Sequence, residues 1–291
     1  MNILIHGKAF DSDNKEFIEH VLETLESWNY KINVTREYLE HLVSHDLSSG
    51  NYTPFEKGIG LDQFDLLITL GGDGTLLEAV TQVGSSGVPI LGINTGRLGF
   101  LATTAKEAIG SALNCIKNRS YTFDERTLIH LNSDPNVFGD TAFALNDFTI
   151  LKKDTSSMIV VHTYINGDFL NSYWADGIIV STPTGSTGYS ISCGGPVVLP
   201  QSNNFIITPV SPHNLTVRPI VVSDSAELSF VIEGRSKNFL ISLDSRFETV
   251  DESTSLSVRK EDFKVRLVKL SEHNYFKTLR QKLNWGLDVR N

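Results

Sequence analysis

Leu66-Leu67-Ile68-Thr69-Leu70-Gly71-Gly72-Asp73-Gly74-Thr75-Leu76-Leu77 is the stretch on which the reading of this chain turns. Its first five residues form an apolar run of strand length, and Leu76, Leu77, Ala79, Val80 and Val83 then recur at helical spacing. Gly71, Gly72, Asp73, Gly74 and Thr75 therefore sit at a strand-to-helix junction. Such a junction presents free backbone N–H groups and the positive end of a helix dipole to an anion, and glycine lets a phosphate approach closely. Gly71, Gly72, Gly74 and Thr75 are accordingly read as a phosphate loop. Asp73 is the odd member, because a carboxylate repels phosphate. Its presence suggests that it binds magnesium or accepts a proton from a hydroxyl nucleophile. Gly-Asp-Gly is also ordinary turn chemistry, so the loop alone leaves turn and phosphate site open.

Working outward, Asn2 to Ile5 reads as a first strand, and Phe17, Ile18, Val21, Leu22 and Leu25 make one face of a first helix. Ile32 to Thr35 is a second strand, and Ser44 to Gly60, rich in Ser, Gly, Asn and Asp, reads as a mobile loop. Val88 to Ile93 is a buried strand leading into Asn94, Thr95, Gly96, Arg97, Leu98 and Gly99, a second glycine-rich turn. Alternating strands and helices imply a parallel α/β sheet with ligands at the carboxyl ends of its strands, where both glycine turns fall. From Tyr121 the pattern changes to short β-rich runs: 128–131, 143–151, 159–165, 178–181, 205–210, 220–222, 228–232 and 239–243. The expected organisation is an α/β domain over 1–121, a β-rich, sandwich-like domain over 122–271, and a last helix in 272–291 that packs back on the first domain.

Composition narrows the function classes. The chain has 291 residues, 40% of them apolar, which suits a globular protein with a large core. A net charge of −9 argues against nonspecific nucleic-acid binding. Cys115 and Cys193 are too few for a disulfide framework or a metal cluster; they read as buried small hydrophobes in a reducing cytosol. No signal-peptide pattern and no run of transmembrane length is expected, which points to a cytoplasmic protein away from membranes. No histidine pair has metal-ligand spacing, and His130 and His162, inside apolar runs, read as packed residues.

A second dense segment runs from Asp176 through Ser181, Thr182, Pro183, Thr184, Gly185, Ser186, Thr187, Gly188 and Tyr189 to Ser190. A strand enters a hydroxyl-rich glycine turn, with an acid before it and a tyrosine after it. Hydroxyls and main chain at such a turn can bond a base or ribose, and a tyrosine ring can stack on a base. Taken by itself the segment reads as a Ser/Thr capping stretch before a helix.

Gly71 to Thr75, Asn94 to Leu101, Asn146 with Asp147, Asp176 to Ser192, and Ser211 to Pro219 together change that weighing. In their order and spacing the chain resembles the NAD kinase family over nearly its whole length, least over the first sixty residues. The glycine motif alone is shared with diacylglycerol-type lipid kinases and loosely with phosphofructokinases. The Asp176 to Ser192 segment is far more specific.

The resemblance implies phosphoryl transfer from ATP or another donor, inorganic polyphosphate included, to the 2′-hydroxyl of the adenosine ribose of NAD, giving NADP. It makes Asp73 the base and lays Gly74 against the same ribose. It assigns Asn146 and Asp147 to hydroxyl and base contacts, and Thr187, Gly188, Tyr189, Ser190, Ile191 and Ser192 to the adenine pocket. It places Asp176 near the nicotinamide, often with a neighbouring subunit, so a homo-oligomer, dimer or tetramer, is implied. Magnesium is expected to bridge donor oxygens rather than to occupy a protein-built metal site. His213 lies in a family-like turn expected to shape the site or a subunit contact. Two positions depart from the family pattern. Trp174 stands where a basic residue contacts the dinucleotide in many members, and Arg246 where several carry an amide. Both are kept as candidate NAD contacts. Gly188 replaces a commoner alanine. The rivals are a kinase of lipids or another small alcohol, and a dinucleotide-binding regulator that has lost catalysis; the former has no need of the turn at Thr187 to Ser192.

Overall fold

A computed structural model describes residues 1–47, 52–56, 60–154, 157–270 and 274–285. The chain divides into two compact units, Met1–Glu125 with Val265–Asn291, and Arg126–Lys264.

The first unit begins with β1 (Asn2–Gly7), α1 (Lys15–Ser27), β2 (Lys31–Thr35), α2 (Arg36–Ser44), β3 (Thr53–Phe55), β4 (Leu66–Leu70), α3 (Asp73–Val83), β5 (Ile90–Ile93) and α4 (Ile109–Lys117). The strands pair in parallel in the order β3-β2-β1-β4-β5. The order in which successive strands are added reverses between β1 and β4, the place where open α/β sheets leave a crevice beyond their carboxyl ends. Gly71–Thr75 follows β4 at that end. β1, β4 and β5 are buried along nearly their whole length, as strands covered on both faces must be. α1 turns Ile18, Val21, Leu22 and Leu25 inward, and α4 does the same with Ile109, Ala112, Leu113 and Ile116.

The second unit comprises most of β6 (Thr122–Asp134), then β7 (Phe143–Ala144), β8 (Asp147–Lys152), β9 (Ile159–Ile165), β10 (Asp168–Ala175), β11 (Gly177–Ser181), the single-turn α5 (Tyr189–Ser192), β12 (Asn204–Val210), β13 (Ile220–Ser223), β14 (Leu228–Glu233), β15 (Asn238–Leu243), β16 (Arg246–Asp251) and most of β17 (Ser255–Lys269). One antiparallel sheet runs β13-β12-β11-β8-β15-β16. β10, β9, β14 and β17 form an antiparallel set opposite it. Phe148, Ile150, Ile178, Val180, Phe205, Ile207, Phe239 and Ile241 from the first meet Val161, Tyr173, Leu228, Phe230 and Val258 from the second in one core. That is a β-sandwich. The end of β17 returns to the first unit, where Leu267 pairs in parallel with Ile90, and α6 (Tyr275–Leu283) follows.

The structure corrects several sequence expectations. The stretch 44–60 is not one loop: Ser44 closes α2, and Thr53–Phe55 is an edge strand beside β2. Residues 48–51 and 57–59 of that expectation lie outside the described residues, as do 272, 273 and 286–291 of the expected last segment. The run 143–151 is two strands, interrupted at Leu145 and Asn146. Cys115 and Cys193 are half-buried rather than buried. No helix among the described residues is long and apolar enough to cross a membrane.

Candidate active site

In the first unit, Asp73 is the opening residue of α3, capped by the extended Gly72. Its carboxylate accepts three consecutive main-chain N–H groups: Phe100 on Oδ2 at 2.8 Å, and Leu101 and Ala102 on Oδ1 at 3.1 and 2.8 Å. The turn after β5 is shaped to deliver those amides. Asn94 holds it from within, accepting from the Gly96 amide at 2.7 Å and donating to the Arg97 carbonyl at 2.8 Å. Gly99 is there because nothing larger fits: a Cβ would lie 1.8 Å from Asp73 Oδ1. An ionised carboxylate has about four lone-pair sites, so the remaining one is on Oδ2. Asp73 is thus a fixed acceptor with one open position at the carboxyl end of a parallel strand.

In the second unit, Asn146 and Asp147 lie where the chain leaves β7 and enters β8. The Leu145, Asn146 and Asp147 amides do not enter a ladder there; they donate to the Asp244 carboxylate at 2.9, 2.7 and 3.3 Å. Thr182 holds the carbonyl side, its Oγ1 donating to Leu145 O at 2.6 Å and its amide to Asn146 O at 2.9 Å. Gly185 closes on the same segment, with room for no side chain: a Cβ would sit 2.0 Å from Asn146 O. Asp147 is buried, and burial, with the Asp244 carboxylate adding to it, pushes its carboxyl up to about 8. Burial raises the Asp244 carboxyl as well, against three amides and Arg246 that favour its ionised form. By that amide set, which Asp147 does not receive, Asp147 is the member of the pair that takes up a proton. At neutral pH it is then a hydrogen-bond donor as well as an acceptor.

The glycine turn after β11 brings most of its expected residues to the same region. Gly188 lies beside Asp147, a Cβ there falling 3.7 Å from Oδ2. Tyr189 is 41% exposed; burial, then Cys193, Asp176 and Asp147, make its hydroxyl a weaker acid than a free tyrosine's. Ile191 is half-buried and Ser192 exposed, while Thr187 Oγ1 turns back to Thr184 O at 3.4 Å. Ser190 is different: the whole residue is buried, its hydroxyl shares a 2.8 Å hydrogen bond with Thr208, and its carbonyl accepts the Cys193 and Gly195 amides. Asp176 pairs with Lys152 at 2.6 Å. Trp174 is 51% exposed on β10 with its ring centroid 4.8 Å from that of His213, whose amide donates to Trp174 O at 2.9 Å. Arg246 is engaged with the fold: its guanidinium donates to the carbonyls of Thr141 and Phe143 and lies over the Phe138 and Phe143 rings.

Among the described residues no group of three or more His, Cys, Asp or Glu side chains could hold a metal ion. A cavity of about 300 Å³ in the first unit is lined by Leu98, Thr104, Cys115, Leu270, Asn274 and Lys277 among others, and not by Asp73. Sequence reasoning missed Asp244 and Thr182 as parts of the site. Asp244 reads in the sequence as one more turn acid, and only its position beneath 145–147 gives it partners.

The sequence matches the ATP-NAD kinase N-terminal domain family over residues 4–121 and the ATP-NAD kinase C-terminal domain family over 145–270. It is 54% identical to the NAD kinase of Cytophaga hutchinsonii and 45% identical to that of Flavobacterium johnsoniae, in each case over the full length of both proteins. Its fold superposes on the crystal structure of a yeast NADH kinase complexed with NADH, with a TM-score of 0.83 at 23% identity, covering 100% of this chain and 89% of that one. An Archaeoglobus fulgidus NAD kinase in complex with ATP matches at a TM-score of 0.77 and 25% identity, covering 98% of this chain and 99% of that one.

Proposed function

The chain belongs to the NAD kinase family, and from that premise we propose how its residues serve the phosphorylation of NAD to NADP. NADP differs from NAD by a phosphate on the 2′-oxygen of the adenosine ribose, so the nucleophile is an alcohol. An alcohol is a poor nucleophile at neutral pH, and a carboxylate within hydrogen-bond reach takes its proton as the bond to phosphorus forms. Asp73 is that base. The observation that carries this assignment is the fixed carboxylate with one open position on Oδ2.

Asn146, the neutral Asp147 and the turn from Thr187 to Ser192 bind the dinucleotide. A protonated Asp147 can donate to a ring nitrogen or hydroxyl that an ionised one would repel. Tyr189, with an exposed face, supplies stacking area for a base. Asp176, held by Lys152, and Trp174, tilted against the His213 ring, serve the nicotinamide end from the end of β10 and the residue before β11. The donor is a nucleoside triphosphate or polyphosphate, and the enzyme works as a homo-oligomer in the cytoplasm. Among the described residues the side chains build no metal cage, and three amides leave Asp73 little capacity as a ligand. Magnesium held by the donor's phosphate oxygens would supply neutralisation of their charge.

The test is Asp73→Asn. Turnover is expected to fall by roughly 10²- to 10⁴-fold, the usual worth of a positioned base, with the NAD dissociation constant held within a few-fold. A variant that turns over NAD at the parent rate removes Asp73 as the base.

A further inference from the structure

The tip of the β15–β16 hairpin is built onto the segment that carries Asn146 and Asp147. Asp244 accepts the amides of Leu145, Asn146 and Asp147, and its own amide donates to Asp147 O at 3.0 Å. Two residues on, Arg246 holds the carbonyls of Thr141 and Phe143. Between them they fix the path of 141–147, in which Leu145 and Asn146 lie between β7 and β8. We propose that Asp244 is a positioning residue for the phosphorylation of NAD, its carboxylate holding the Leu145–Asp147 main chain in the path that presents Asn146 and Asp147 to the dinucleotide. This rests on the reading that those two residues contact NAD.

The turn by itself does not explain an acid at this position. Asp244 has φ of 53°, a left-handed conformation that glycine adopts with no strain and asparagine readily. Either would close the hairpin. Only a carboxylate gives both oxygens as acceptors, and buried amides bond more strongly to an ionised acceptor than to a neutral one. Leu145 is fully buried and Asp147 nearly so, so without Asp244 their amides would be left unpaired in an apolar setting or the segment would move. A second carboxyl is thereby placed beside Asp147, an electrostatically unfavourable neighbour. Its retention there is accounted for by what it holds. Thr182 pins the opposite, carbonyl edge of the same residues, so the segment is fixed from two sides and its side chains are aimed by the main chain.

The experiment compares Asp244→Gly, Asp244→Asn and Asn146→Ala in the full-length enzyme, reading NAD dissociation by calorimetry and KM for NAD and for ATP. Asp244→Gly keeps the left-handed turn and is expected to raise the NAD dissociation constant about tenfold or more, with KM for ATP within about twofold of the parent. Asp244→Asn, with one oxygen acceptor left, recovers part of the loss and is the second variant should Asp244→Gly fold poorly. In an Asn146→Ala background the effect of Asp244→Gly shrinks, because residues acting through one another are not additive. Full additivity, or normal NAD binding in Asp244→Gly while Asn146→Ala is impaired, overturns the positioning role. Normal NAD binding in Asn146→Ala removes the NAD contact itself, and the role of Asp244 falls with it.

Discussion

Three carboxyl groups, Asp73, Asp147 and Asp244, are each put to a different use by what surrounds them. Asp73 and Asp244 each receive three consecutive amides, which turns a flexible acid into a fixed one. Asp147 receives no such set and is raised from 3.8 to about 8, mainly by burial. The sign of its effect on stability follows. Between these values the folded chain binds a proton that the unfolded chain has released, so stability falls as pH rises from about 4 to about 8. Below that interval the penalty is absent, and above it the penalty is complete. Asp147→Asn is expected to flatten the fall. Thermal midpoints of parent and variant, taken near ~pH 5 and ~pH 9, should diverge most at the alkaline end; equal pH slopes would show that Asp147 is ionised throughout.

Each glycine turn matters through the element it lets approach. The turn after β11 comes against the segment before β8 because Gly185 carries no side chain above Asn146 O. Gly185→Ala puts a methyl 2.0 Å from that oxygen, and backbone on both sides must give. Forced overpacking of this kind costs about 1–3 kcal/mol, and here it also moves Asn146. The expected outcome is a lower thermal midpoint together with weaker NAD binding. A midpoint that drops while the NAD dissociation constant stays put would mean that the strain is absorbed away from Asn146. At the same scale, β4 and α3 show how firmly hydrophobic period announces an element: five buried residues in a row, then inward residues at helical spacing. β10, β16 and β17 went unread for the opposite reason. Their polar and charged residues belong to edges or to solvent-facing positions, and Val250 is the one buried residue of β16.

At the scale of the whole molecule, the first unit is discontinuous in sequence. It uses 1–125 and then takes back 265–291, with Leu267 beside Ile90 and Leu279 buried in α6. A fragment ending at residue 125 leaves the β5 edge unpaired and uncovers the face that α6 occupies. Such a fragment is expected to be poorly folded, as chain ends that carry buried contacts are not dispensable. Circular dichroism melts of fragment 1–125, alone and with 265–291 rejoined through a flexible linker, test this; a cooperative melt from the fragment alone would show that the returning segment is not required.

The order and spacing of five segments, 71–75, 94–101, 146–147, 176–192 and 211–219, carried the resemblance to the family, and the sequence by itself determined the class of the fold and the two glycine turns. Those are properties of period and of local chemistry: apolar runs, helical spacing and glycine at a junction are written in neighbouring residues. It also marked Asp73, because a carboxylate in a phosphate loop is anomalous wherever it is met. Tertiary structure alone decided which groups surround each acid. That Phe100–Ala102 would lend three amides to Asp73, that Asp244 would do the converse for Leu145–Asp147, and that Ser190 would turn its hydroxyl to Thr208 are contacts between residues 18 to 99 positions apart. No local pattern encodes them, since main-chain amides are the same in every residue and acquire partners only when packing brings an acceptor to them.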